Sequence, residues 1–154
     1  MTALIQVSTI GEDFIVDPFP LHSLIKTQLN DVFENASILK VFCGAQNDAF
    51  WLQRDFNVRV VGGIDVQLVH NLLRSDEQNN LVGLKELSEI YTPMLKVDKT
   101  ARLEDWRRRP LTAEMINYAR KDTRILMAIW NRMIIMVGFM QILKFLRQHD
   151  VMLP

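Results

Sequence analysis

Asn117-Tyr118-Ala119-Arg120-Lys121-Asp122-Thr123 lies in a long stretch whose apolar residues recur at helical spacing, with Thr112 placed to cap it and Glu114 in its first turn. On a helix, Tyr118 and Asp122 stand one turn apart on one face. A phenol and a carboxylate so placed can hold a metal ion and aim a water molecule at it. The same spacing also suits a solvated face, with Asp122 paired to Arg120, Lys121 or Arg124. Tyr-x-x-x-Asp alone does not choose between the two, so the surrounding chain has to.

Just upstream, Asp105-Trp106-Arg107-Arg108-Arg109-Pro110-Leu111 closes a charged, irregular segment over 94–111. Further back, residues 38–43 are apolar apart from Lys40, as in a buried strand. Gly44 gives that strand a tight exit into a helix over 45–55. Asp48 falls in the first turn of this helix, beyond the C-terminal end of the strand, where sites gather in open α/β sheets. An acidic residue there equally complements the helix dipole. Before this, 3–9 and 14–17 read as strands of a hairpin turned at Gly11-Glu12-Asp13. Pro18 and Pro20 are expected to break the chain, and Leu21, Leu24, Ile25, Leu29, Val32 and Phe33 mark an amphipathic helix. After the Asp48 helix come a strand over 58–65 loosened by Gly62-Gly63, a helix through Leu73, a polar loop over 75–80, and a helix carrying Leu81, Leu84, Leu87 and Ile90. Strands alternating with helices predict an α/β layer arrangement.

A length of 154 residues suits one domain with a core of its own. Hydrophobic content of 49% with 23% charged residues excludes a mainly disordered chain. The formal net charge of zero excludes a polycation, so nucleic acid would be held by a local patch or through metal ions. The single Cys43 excludes an internal disulfide and a Cys-rich zinc site, and reads as a small buried hydrophobe. The first seven residues do not read as a signal peptide. Residues 125–146 are strongly apolar, but Asn131, Arg132, Gln141 and Lys144 interrupt them, and beyond Arg132 the run falls short of the ~20 residues a bilayer needs. The segment therefore reads as a core or interface helix, with no membrane partner. His22, His70 and His149 are scattered and carry no catalytic role.

Gly-Ala-x-x-Asp-x-x-Trp-Leu-Gln-Arg-Asp from Gly44, Asp-Trp-Arg-x-Arg-Pro-Leu from Asp105 and Tyr-Ala-Arg-x-Asp-Thr from Tyr118, in this order, resemble the 3'-5' exonuclease domain of the ribonuclease D type, in particular its nuclear-exosome-associated branch. The resemblance runs from Leu4 to about Met133. It implies an α/β, ribonuclease H-like 3'-5' exonuclease fold over 1–133, followed by a divergent apolar tail over 134–154. Carried over by position, Asp48 matches the family's second-motif Asp and Asp122 its third-motif Asp. Tyr118 matches the Tyr that orients the attacking water. Asp48 and Asp122 would then be metal ligands for two divalent cations, Mg2+ or Mn2+, held about 4 Å apart. Such hard cations take oxygen ligands rather than Cys or His clusters. The implied reaction releases nucleoside 5'-monophosphates from the 3' end of single-stranded RNA. The implied setting is intracellular and nuclear, beside an RNA-decay complex. Trp51, Lys99 and Arg102 are the implied substrate-binding residues, with Trp51 open to a core role as well. Lys99, Arg102, Arg107, Arg108 and Arg109 could line an RNA path with Trp106 as a stacking surface. Equally, Trp106 could be a core anchor and the arginines surface ion pairs. The chain departs from the family at Cys43, where His is frequent, and at Arg102, where Gln is usual.

One departure bears on folding. The family's first motif, an Asp-x-Glu on a central first strand, has no counterpart before Asp13. Without that strand its two neighbours lose a ladder partner, at on the order of 1–3 kcal/mol for each unpaired buried group, against a domain stability of ~5–15 kcal/mol. The sequence is therefore expected to be a fragment or an incomplete reading frame; the alternatives are a degenerate relative with a repacked sheet, or a strand donated by a partner. Lacking part of the ligand set, the chain also carries a second reading: a catalytically incomplete module that binds nucleic acid or protein.

Overall fold

In the computed structural model, which describes residues 1–74, 80–95, 103–138 and 141, the expected hairpin is present. Strands β1 (Ile5–Ser8) and β2 (Asp13–Val16) pair antiparallel, with Ile5 opposite Val16 and Ser8 opposite Asp13. The two prolines that follow begin a helix instead of breaking the chain, a correction to the sequence reading. Helix α1 (Pro18–Phe33) takes Asp17 as its cap, whose carboxylate accepts from the backbone N–H of Phe19 at 3.1 Å. The first N–H groups of a helix have no partner within it, so prolines in this turn forfeit nothing.

Strand β3 (Lys40–Phe42) leads through Gly44 into α2 (Ala45–Phe56). Gly44 has φ +86°, which a side chain would strain, and this is what lets the chain turn directly from strand to helix. Strand β4 (Gly63–Asp65) pairs parallel with β3, Lys40 opposite Gly63 and Phe42 opposite Asp65. It is shorter than the predicted 58–65. Gly62 at φ +69° bends the chain out of register just before it, and Val58 and Val60 are buried ahead of the bend. Helices α3 (Val66–Arg74), α4 (Leu84–Tyr91) and α5 (Ala113–Val137) complete the described elements. Thr112 caps α5 as predicted, accepting from Met115 N–H at 3.2 Å.

Among the described residues the strands form two separate two-stranded sheets, β1–β2 and β3–β4. This is a partial ribonuclease H-like arrangement, and α5 bridges it by packing on β1, β2 and β3. Two apolar cores lie to either side of β3. Ile64, Leu87, Ile129, Trp130 and Met133 centre one, with Val41 and Cys43 packed against it; Ile25, Phe33, Leu52 and Phe56 centre the other, with Phe42 against it. Alternation along β3 sends successive side chains to opposite cores. The apolar stretch in the second half of α5 packs into the first core, and no helix among the described residues is long and apolar enough to cross a membrane.

Candidate active site

The C-terminal ends of β3 and β4 meet the first turn of α2, and one buried carboxylate organises the junction. Asp65 Oδ2 accepts from the backbone N–H groups of Gly44 (3.0 Å) and Ala45 (2.8 Å), while Oδ1 accepts from Gln67 N–H (2.9 Å). Asp65 thus caps the starts of α2 and α3 together. It satisfies donors that the helices cannot pair and places a negative charge against two positive helix ends. This fixes the direction in which α2 leaves the sheet, and so the place of Asp48. An Asp directly before a helix is a capping signal visible in sequence; that it serves two helices is visible only in three dimensions.

Asp48 and Asp122 come from separate elements, α2 and α5. Both act electrostatically on the Cys43 thiol, as does Asp65. Burial, reinforced by these three carboxylates, pushes Cys43 up to about 12. The thiol is therefore protonated at neutral pH and no nucleophile. The residue Asp48 is open to solvent as a whole, yet loss of water at its carboxyl, with the charge of Asp65 added, pushes it up to about 6. Burial also raises Asp122, and the Tyr118 hydroxyl opposes that shift by donating a hydrogen bond to its carboxylate. Each of these carboxyls is short of water, which makes it costly to ionise without a counter-charge.

The solvated-face alternative for Asp122 gives way here. Arg124 is engaged by Asp13 (Nε to Oδ2, 2.7 Å), and Asp122 takes the hydroxyl of Tyr118 instead. Tyr118 is in turn backed by Trp106, ring centres 5.8 Å apart and planes at 46°. Trp106 is half-buried against it. Arg107 pairs with Asp105 and Arg109 with Asp17, so these two arginines follow the ion-pair reading rather than the RNA-path one. Trp51, one turn beyond Asp48, keeps 42% of its surface exposed and is no core residue. Lys99 and Arg102 lie outside the described residues, as does most of the apolar tail beyond 138. The histidines are structural where described: His70 is buried and bonded to the Tyr91 hydroxyl at 2.9 Å, tying α3 to α4, and His22 packs on Phe56.

For a divalent cation the donor chemistry is right but not complete. Asp48 and Asp122 offer hard oxygen ligands with an unmet need for positive charge. Among the described residues, however, no group of three or more acidic, His or Cys side chains is arranged to hold an ion.

A family model described as 3'-5' exonuclease matches residues 1–137. The chain belongs to the 3'-5' exonuclease family. Within it, similarity points to the ribonuclease D-type branch. The chain is 43% identical over 127 residues to the Exosome complex component 10 homolog of Caenorhabditis elegans, covering 82% of this chain and 14% of that protein. It is 37% identical over 137 residues to the Exosome complex exonuclease RRP6 of Saccharomyces cerevisiae, covering 86% of this chain and 17% of that protein. Its fold superposes on the catalytic core of RRP6 from Trypanosoma brucei with a TM-score of 0.79 at 29% identity, over 95% of this chain and 39% of that one. The chain therefore spans less than a fifth of the length of these two curated relatives.

Proposed function

We propose that this domain serves a metal-dependent 3'-5' exoribonuclease that shortens single-stranded RNA from its 3' end to nucleoside 5'-monophosphates. The observation that carries the reading is that Asp48 and Asp122 both act electrostatically on the Cys43 thiol, with Tyr118 hydrogen-bonded to Asp122, inside a chain of the exonuclease family. Asp48 and Asp122 are the proposed ligands of Mg2+ or Mn2+. When bound, a pair of such ions stabilises charge on the attacking and leaving oxygens of a phosphodiester. Tyr118, held at its ring by Trp106, turns its hydroxyl toward the water that attacks. Trp51 presents an exposed ring one turn from Asp48, suited to stacking on the terminal base. Lys99 and Arg102 are the proposed contacts to the phosphates behind it. The names of the curated relatives as exosome components support action with an RNA-decay complex, and the proposed setting is inside the cell, in the nucleus.

The test is shortening of a 5'-labelled single-stranded RNA with Mn2+ or Mg2+, by the protein as 154 residues and with an Asp-x-Glu strand joined ahead of residue 1. The expected result is a 3'-to-5' ladder that a chelator abolishes. Asp48→Asn and Asp122→Asn should each lower the rate by about 100-fold or more, and Tyr118→Phe by about 100-fold. RNA bound but uncut by both forms, with or without chelator, would replace the enzyme with a binding module. No RNA binding by either would leave a protein-docking role.

A further inference from the structure

A guanidinium carries five N–H donors, and Arg109 engages all of them within the protein. Its Nε and one Nη2 N–H clasp the Asp17 carboxylate, the latter at 2.8 Å. The other Nη2 N–H reaches the carbonyl of Ala3, just ahead of β1, at 2.9 Å. The two Nη1 N–H groups bond the carbonyls of Trp106 (3.0 Å) and Arg108 (2.8 Å). Its Cζ lies over the Phe19 ring, 4.6 Å from the ring centre. No donor is left over for a phosphate. What the side chain does is tie its own segment to partners 92 and 106 residues away in sequence.

That segment carries Trp106, and Trp106 is the ring against which Tyr118 rests. We propose that Arg109 is a positioning residue for Tyr118: by fastening the Trp106 segment to the hairpin and to the start of α1, it fixes the surface that aims the Tyr118 hydroxyl at Asp122. The planar fork is essential to this. Lysine keeps the charge but has three donors on a single nitrogen and cannot hold a carboxylate and three carbonyls in two directions at once. Only the kinetic part of the test rests on the exonuclease reading; the geometry does not.

The chain has two tyrosines, Tyr91 and Tyr118, so fluorotyrosine incorporation gives two fluorine NMR signals, assigned with Tyr118→Phe. In Arg109→Lys, the Tyr118 signal is expected to move toward its position in Trp106→Leu, while Tyr91, buried with His70, stays in place. Asp17→Asn, which removes one arm of the clasp and keeps an acceptor for the α1 cap, should shift the same signal by less. An unmoved Tyr118 signal in both variants overturns the proposal, as does equal movement of both tyrosines. Where the protein cleaves RNA, kcat should fall about 10- to 100-fold in Arg109→Lys with KM within about twofold. A raised KM at unchanged kcat overturns it in favour of phosphate binding. A Tyr118 signal that moves in Arg109→Lys while neither form of the wild type cuts RNA sinks the exonuclease reading and leaves this one standing; an unmoved signal beside an active wild type does the reverse.

Discussion

Asp48 hangs from the β3–β4 half of the molecule, and Tyr118 with Asp122 from the end of α5 nearest the β1–β2 half. The first half is held by burial and helix capping. Ile64, Val66 and Val69 are all but fully buried, and the buried Asp65 carboxylate accepts from backbone N–H groups at the starts of α2 and α3. The second half has apolar anchors in Met115 and Ala119, but it is registered by polar side-chain bonds that span the sequence. Ser8 bonds Asp13 at 2.7 Å and shares a 2.6 Å hydrogen bond with Thr123, and Arg124 closes on Asp13. Under the proposed function, a site assembled across such a seam would draw one carboxylate from a helix start fixed by capping and one whose aim depends on directional contacts. The halves should therefore fail differently when perturbed.

The largest effect belongs to the capped half. Asp65→Ala strips the acceptor from three backbone N–H groups at once. At on the order of 1–3 kcal/mol for each donor left unsatisfied, the loss approaches a domain's whole stability of ~5–15 kcal/mol. Thermal unfolding by circular dichroism should show Tm lower by about 10 °C or more. Asp65→Asn keeps one carbonyl oxygen, can cap one helix of the two, and should cost less. It also removes the charge that helps raise Asp48, so the Asp48 carboxyl should titrate lower than about 6 in that variant. A fall in Tm below about 3 °C for Asp65→Ala would mean that apolar packing alone holds this half.

The contrast also separates what was legible in the sequence from what was not. The places of Gly44 and Asp48 in the chain's course are legible because a strand, a glycine exit and a first-turn acid are local facts about a few consecutive residues. Tyr118 and Asp122 share a face because four residues make about one turn. The hairpin followed from alternation and a turn signal. Where local signals misled, a neighbour decided: Pro18 and Pro20 read as breakers until Asp17 is seen to cap the helix they open, and Val58 and Val60 read as strand although the bend at Gly62 keeps them out of the ladder. Arg109 is legible only as one of several arginines open to an ion pair, without its partners. Its role lies in partners 92 and 106 residues away, and an arginine beside two others looks like a solvated basic patch until each donor is traced.

A smaller effect, opposite in sign, tests the electrostatics of the rigid carboxylate. Asp48 has a folded-state pKa of about 6, above the usual carboxylate range. The folded state therefore holds this proton more tightly than the unfolded chain does. Its contribution to stability is greatest at low pH and is lost as pH rises through about 6. Asp48→Asn removes the charge, so metal-free Asp48→Asn should melt higher than wild type at pH near 8, with the gap closing toward pH near 4, where both side chains are neutral. Adding Mn2+ should stabilise wild type and not the variant. A wild type that outlasts Asp48→Asn at every pH would show that the carboxylate is compensated by the protein itself and needs no cation.

The smallest effects lie along the polar seam, where rank matters more than size. Asp13 is held below the ordinary carboxylate range first by the Ser8 hydroxyl, and after that by Arg124. Its side chain is 7% exposed, whereas that of Arg124 is 62% exposed. A hydrogen bond to a shielded carboxylate contributes about 1 kcal/mol or somewhat more, while an ion pair whose cation lies in water gives ~0–1 kcal/mol and is screened by salt. Ser8→Ala should therefore lower Tm more than Arg124→Ala, and high salt should erase the Arg124→Ala difference while leaving that of Ser8→Ala in place. Because the folded-state pKa of Asp13 is depressed, the stability it provides is present above the unfolded carboxylate range and is lost as pH falls through its folded value. Acid should thus shrink the Ser8→Ala defect, just where the Asp48 charge penalty on the other half also disappears. If Arg124→Ala proves the costlier change and salt leaves it intact, the seam is held by charge and not by the hydroxyl bridge, and the aim of Asp122 would have to be traced to Arg124 instead of to Ser8 and Thr123.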